Sequence, residues 1–180
     1  MADPTASAGS TVQQQVAGLF DAHGASLYRF ARAIVHTQED AEDAVQRTFV
    51  RLLEHLRGNG DASNLKSWLF TVTANTCRDA LRARRRWLSF GPKHDRSVAP
   101  DDGSAGEHRR VLITAARRLS ARDRTLLALR SQGMSYREIA GMTGIRESSV
   151  GRLLARAVSR WQRACRKVMV KDHESMLHGH

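Results

Sequence analysis

The residues with the plainest chemistry are arginines. Between Ser135 and Ala157 the sequence runs SYREIAGMTGIRESSVGRLLARA, with Arg137, Arg146, Arg152 and Arg156 set into a helix-forming apolar pattern. A guanidinium is a planar fork of donors that pairs carboxylates, phosphates and the edge of guanine. Arg152 and Arg156 fall one helical turn apart and so share a face. Arg146, Glu147, Ser148 and Ser149 open the same helix, the position from which a helix lying in the major groove touches base edges.

The elements that must carry these groups are two short helices. Tyr136, Ile139 and Ala140 begin an apolar stripe at helical spacing, Gly144 breaks it, and Ile145 plugs the corner. Glu147 to Ser149 are residues favoured at a helix start. Val150, Leu153, Leu154, Ala157 and Trp161 then continue the stripe. This is a helix-turn-helix pattern. An ordinary helical hairpin shares the periodicity, and the surrounding charge argues against it.

Other chemistries find little support. Asp40, Glu42 and Asp43 cluster, yet no histidine at metal-ligand spacing converges on them and no glycine-rich phosphate loop exists. Cys77 and Cys165 lie far apart and read as reduced thiols of a cytosolic protein. His173, His178 and His180 read as a histidine-bearing tail rather than a metal site. No catalytic residue, metal or cofactor is expected.

The charge is unevenly spread. The chain carries a net +11 over 180 residues, and most of its 29 basic residues are arginine. Residues 1–60 hold 5 basic and 7 acidic groups, whereas residues 107–171 hold 16 and 4. A ribosomal or membrane-surface protein can show a similar excess, but this asymmetry places nucleic acid at one end and a different partner at the other. No apolar run approaches transmembrane length and the polar N-terminus lacks a signal-peptide core, so a soluble, cytoplasmic chain without stable membrane insertion is expected.

Taken in order, residues 1–11 are small and polar and are expected to be disordered. Val16, Leu19, Phe20, Leu27, Phe30, Ala31 and Ile34 predict helix over 12–35, divided at Gly24. Thr37 caps a second helix with acids in its first turns and Val45, Phe49, Leu52, Leu53 and Leu56 on its buried face. A loop over 57–64 precedes a third helix, from Asn64 or Leu65 to about Arg86, with Leu65, Trp68, Leu69 and Val72 inward and arginines crowding its far end. Trp68 reads as core. Residues 12–87 form one helical domain, 88–106 a linker, 107–171 a second helical domain and 172–180 a frayed tail. The fold class is all-α: two small helical domains joined by a flexible linker.

With both domains read, the chain resembles the extracytoplasmic-function (ECF) branch of bacterial RNA polymerase sigma factors. DAEDAVQRTFVRLLEHL, from Asp40, is similar to the polymerase-binding helix of region 2. SWLFTVTANTCRDALRARRR, from Ser67, is similar to the promoter-melting and −10-recognition helix, and the sequence from Leu119 to Ala157 to region 4. The resemblance spans roughly residues 15–165. It implies a region 2 bundle and a region 4 helix-turn-helix, core RNA polymerase and promoter DNA as partners, an anti-sigma factor, and no catalysis.

It also distributes the candidate residues. Asp40, Glu42, Asp43 and Gln46 would face polymerase. Asn64, Lys66, Asn75, Arg78, Arg82 and Arg85 would hold the −10 strand, where opening DNA needs a positive track for a displaced strand. Arg137, Arg146, Glu147, Ser148, Ser149, Arg152 and Arg156 would meet the −35 duplex. The chain departs from the family in two places. It has Gln46-Arg47 where Gln-Glu is common, and Val150-Gly151-Arg152-Leu153-Leu154 where Val-Lys-Ser-Arg-Leu is frequent. Gly151 inside a helix costs up to about 1 kcal/mol relative to Ala, for which a close approach to DNA offers one reason. The alternative function is a stand-alone helix-turn-helix regulator binding an operator as a dimer.

Overall fold

A computed structural model describes the backbone of residues 4–35, 37–90 and 104–177, and the side chains of 11–35, 37–84, 86, 106 and 110–170. The described residues form seven helices: α1 (Pro4–Ile34), α2 (Gln38–Arg57), α3 (Leu65–Phe90), α4 (Ser104–Arg117), α5 (Ala121–Ser131), α6 (Tyr136–Thr143) and α7 (Glu147–Leu177). They divide into two compact units, Met1–Phe90 and Gly91–His180.

The first unit packs α1, α2 and α3 on one another. Its core comes from the C-terminal half of α1, where Leu27, Phe30, Ala31 and Ile34 are buried, with Leu52 of α2 and Leu69 and Phe70 of α3. Phe30 and Phe70 meet edge to face with centroids 5.1 Å apart. Truncating a fully buried leucine such as Leu27, Leu52 or Leu69 to Ala would cost roughly 2–5 kcal/mol. Thr48 and Thr73 sit inside this core. Each hydroxyl lies 2.8 Å from a carbonyl one turn back, of Ala44 and Leu69, and 3.0 Å from the other hydroxyl, so that one donates to a carbonyl and the other can donate across the α2–α3 contact.

The helix ends are built locally. The Thr37 hydroxyl accepts the Asp40 N–H at 3.0 Å and starts α2. At its other end Asn59 adopts φ 54°. The Asn59 N–H donates to Leu56 and the Gly60 N–H to His55, which is the paired closure of a Schellman motif. Asn64 Oδ1 accepts the Ser67 N–H at 3.2 Å and starts α3.

Three expectations are corrected here. Helix runs back to Pro4, so residues 4–11 are not without structure. Proline suits a first helical turn, and the downstream helix is already nucleated. Gly24 does not divide α1. It is buried, with Phe20 lying beside its backbone, and Phe20 in turn meets Phe49 edge to face at 5.0 Å. Helix also continues to Phe90, from Ser104 and to Leu177, into both ends of the expected linker and into the expected tail. Residues 91–103 and 178–180 lie outside the described residues.

In the second unit α7 is the common partner of α4, α5 and α6. Val111 and Ala115 of α4 pack on Ala164 and Val168, flanked by Trp161 and Cys165. Asp123, at the start of α5, is buried and holds both carboxylate oxygens near Arg160 Nη1, at 3.1 and 2.9 Å. Arg160 therefore ties α7 to α5. Arg124 is buried as well and donates to the Leu119 carbonyl at 2.8 Å.

Candidate nucleic-acid interface

The helix-turn-helix is fixed by its caps. Gly133 (φ 78°) closes α5, with its N–H on Arg130 and the Met134 N–H on Leu129, while the Met134 side chain is buried. Ser135 and Glu138 form a reciprocal capping box at the start of α6. Gly144 (φ 69°) ends α6 with its N–H on the Ala140 carbonyl at 2.9 Å, a left-handed position that suits glycine. Ile139, Met142, Val150, Leu154 and Ala157 are buried in the angle between α6 and α7. These contacts turn the start of α7 outward.

Arg137 on α6, Arg146 just before α7, and Glu147, Ser148, Arg152 and Arg156 on α7 are all exposed, and Ser149 is half-buried. Arg137, Arg146, Arg152 and Arg156 have no acidic partner among the described residues. Other arginines of this unit are occupied structurally: Arg160 by Asp123, Arg124 by a backbone carbonyl, and Arg130 by the Met134 carbonyl at 3.0 Å. Four guanidiniums without an acidic partner thus lie along the helix-turn-helix, with Arg146 beside the positive end of the α7 dipole.

Gly151 has an internal explanation. A Cβ there would lie 3.2 Å from Tyr136 Cε2, so the Tyr136 ring rests over the glycine backbone. The Arg130 guanidinium lies 5.7 Å from the centroid of the same ring. Tyr136 was expected in the apolar stripe. It is instead 45% exposed, and it links α5, α6 and α7 at the surface.

In the first unit the candidates separate. Asn64, Asn75, Arg78 and Arg82 fall within about 40° of one line along α3, which extends roughly 27 Å. Lys66 is exposed but lies on the far side of the helix from Asn75 by register. Asn64 Oδ1 is engaged as a cap, and Asn75 Oδ1 accepts from Arg78 Nη1 at 2.8 Å. Arg82 lies 3.8 Å from Asp79 on the surface, and the Arg85 side chain is outside the described residues.

The acidic cluster on α2 is partly neutralised. Asp40 faces α3 through Arg84 at 3.9 Å, Asp43 pairs with Arg47 at 3.0 Å, and Glu42 accepts from Gln38 at 2.7 Å. Glu42, Asp43 and Gln46 remain on the exposed face. The sequence reading missed a further side chain, His55. Its ring stacks on Trp68 with centroids 4.8 Å apart, and its Nε2 lies 3.0 Å from the Asp61 carbonyl. No periodicity signals that contact. Among the described residues no group of histidine, cysteine and carboxylate side chains could hold a metal, and no helix is long and apolar enough to cross a membrane.

A three-helix unit, and a second unit presenting an arginine-bearing helix-turn-helix, fit the class of nucleic-acid-binding proteins. The sigma-70 region 2 family matches residues 19–87, and sigma-70 region 4 matches residues 109–160. ECF RNA polymerase sigma factor SigL of Mycobacterium tuberculosis is 33% identical over 147 residues, covering 78% of this chain and 82% of that protein. RNA polymerase sigma factor CarQ of Myxococcus xanthus is 32% identical over 132 residues, covering 71% and 75%. Among solved structures, CnrH in complex with the cytosolic domain of CnrY superposes with a TM-score of 0.61 at 26% identity, covering 88% and 92%. The sigma factor RpoE of Bartonella quintana, solved with the anti-sigma factor NepR, shares the fold with a TM-score of 0.66 at 24% identity, covering 86% and 96%. The chain belongs to the ECF sigma factors, a family of transcription initiation factors.

Proposed function

We propose that this chain binds core RNA polymerase through the exposed acidic face of α2, at Glu42, Asp43 and Gln46 with Asp40 behind them, and directs promoter-specific initiation in the cytoplasm without catalysis of its own. The α3 track, with Asn64, Asn75, Arg78, Arg82 and Arg85, receives the −10 strand, and Lys66, on the opposite side of the helix, is left out of it. The helix-turn-helix, through Arg137, Arg146, Glu147, Ser148, Ser149, Arg152 and Arg156, holds the −35 duplex. The observation that carries the reading is the set of exposed arginines without acidic partners, Arg137, Arg146, Arg152 and Arg156, along the helix-turn-helix. An anti-sigma partner is part of the proposal, supported by the partners named in the CnrH and RpoE structures.

The test is run-off transcription from a randomised duplex library by core polymerase, with and without the chain. Enrichment of a −35/−10 consensus only when the chain is present is the expected result. With a promoter selected in this way, Arg152→Ala/Arg156→Ala should lower initiation while core affinity stays unchanged, and Asp43→Lys should weaken core binding instead. Loss of core binding in the arginine variant would overturn the division of roles. An operator-binding dimer would retain DNA specificity with no polymerase present.

A further inference from the structure

We propose that His55 is a positioning residue that sets the shape of the loop between α2 and α3 for the melted promoter strand. The inference rests on the sigma-factor reading and adds a residue to it.

The loop lacks a hydrophobic anchor. From Gly58 to Asn64 every residue is exposed except the half-buried Gly60, so burial alone would leave it without a fixed conformation. What holds it is a relay beginning at His55. The imidazole stacks on Trp68, the rings inclined by 25°. Because the Asp61 carbonyl only accepts, Nε2–H must be the donor in the 3.0 Å contact. The Asp61 carboxylate then accepts both the Ser63 N–H and the Ser63 hydroxyl at 2.8 Å. Asn64 completes the relay as the cap of α3. The ring thus connects the last turn of α2, the loop backbone and the first turn of α3.

Gly60 supplies an independent observation. Its φ is not in the left-handed region, so its backbone conformation does not require glycine. A Cβ at Gly60 would instead land within the His55 imidazole. The ring is kept there by its stack and its hydrogen bond, so it cannot swing aside without losing both. Histidine and glycine five residues apart are therefore matched: one fills the space the other leaves. Trp68, covered by the imidazole, is accordingly a platform for His55.

A loop fixed in this way presents Asn64, the −10 candidate at its end, in one position at the start of α3. The experiment measures strand opening by permanganate reactivity at the −10 element of a library-selected promoter, using core polymerase with the full-length chain. His55→Ala should lower the opening rate by about tenfold, the combined loss of a hydrogen bond and an aromatic contact. Core affinity and −35 duplex affinity should not change. His55→Phe, which keeps the stack, should fall between wild type and His55→Ala. Gly60→Ala should reproduce the His55→Ala defect, and should add little to it when the two are combined, because without the ring the Cβ has room. Wild-type opening by His55→Ala, or full additivity with Gly60→Ala, would overturn the proposal. Loss of core binding in His55→Ala would overturn it as well, by making His55 a packing residue of the whole unit. Failure of the wild-type chain to support initiation would instead overturn the function proposed above.

Discussion

At the scale of single residues, an exposed ion pair such as Asp43 with Arg47 contributes at most about 1 kcal/mol. Asp43 and Arg47 are both visible in the sequence, but their 3.0 Å pairing depends on rotamers that a helical wheel does not specify. Cys77 shows how burial turns a plain side chain into a pH-dependent one. It is fully buried in the α1–α3 core, and burial, assisted by the negative charge of Asp40, pushes its thiol up to about 12 from an ordinary 9.0. The folded chain keeps the thiol neutral while an unfolded chain ionises it. Stability from this source is therefore complete below pH 9 and is lost as pH rises from 9 to about 12. Urea unfolding should show wild type losing its advantage over Cys77→Ala across that interval, and a constant difference would refute the assignment. Asp61 has the opposite sense. Its hydrogen bonds to Ser63 hold its carboxyl below the usual range, so acid would release the loop as pH falls through that lowered value.

At the scale of elements, helix ends marked by a cap residue were legible and uncapped ends were not. Gly133 and Gly144 each mark a helix end because only a left-handed residue closes those turns. Thr37 and Ser135 announce their helices through hydroxyls that accept N–H groups in the first turn. The start of α1 and the continuity through Gly24 were not legible. Local composition records neither a neighbouring turn's cooperativity nor the packing of Phe20 on Phe49. Gly151 belongs here too, since only the fold reveals Tyr136 above it. Alanine at 151 gains helix propensity of up to about 1 kcal/mol but must displace a ring edge lying 3.2 Å away. Hydrogen exchange across α6 and α7 should show Gly151→Ala slowing opening clearly in a Tyr136→Ala background and much less in the wild-type background. Equal effects in both would mean that the ring yields without cost and does not explain the glycine.

At the scale of the molecule, the all-α class was legible because several helices carry a 3.6-residue stripe and no segment alternates. Contacts such as Asp123 with Arg160, 37 residues apart, were not, since nothing local selects one arginine from the many available. The charge asymmetry was legible, and it makes a quantitative claim. If Arg152 and Arg156, beyond the first turn of α7, anchor phosphates, each releases condensed counterions when the −35 duplex binds. The slope of log K against log salt should then fall by about 0.9 for each arginine changed to Ala. Discrimination between selected and scrambled duplexes should be preserved, because phosphate contacts position without specifying. Titrating the full-length chain with each duplex from about 50 to 200 mM salt measures both quantities. An unchanged slope with lost discrimination would make these arginines base readers and leave the positioning role to Arg137 and Arg146.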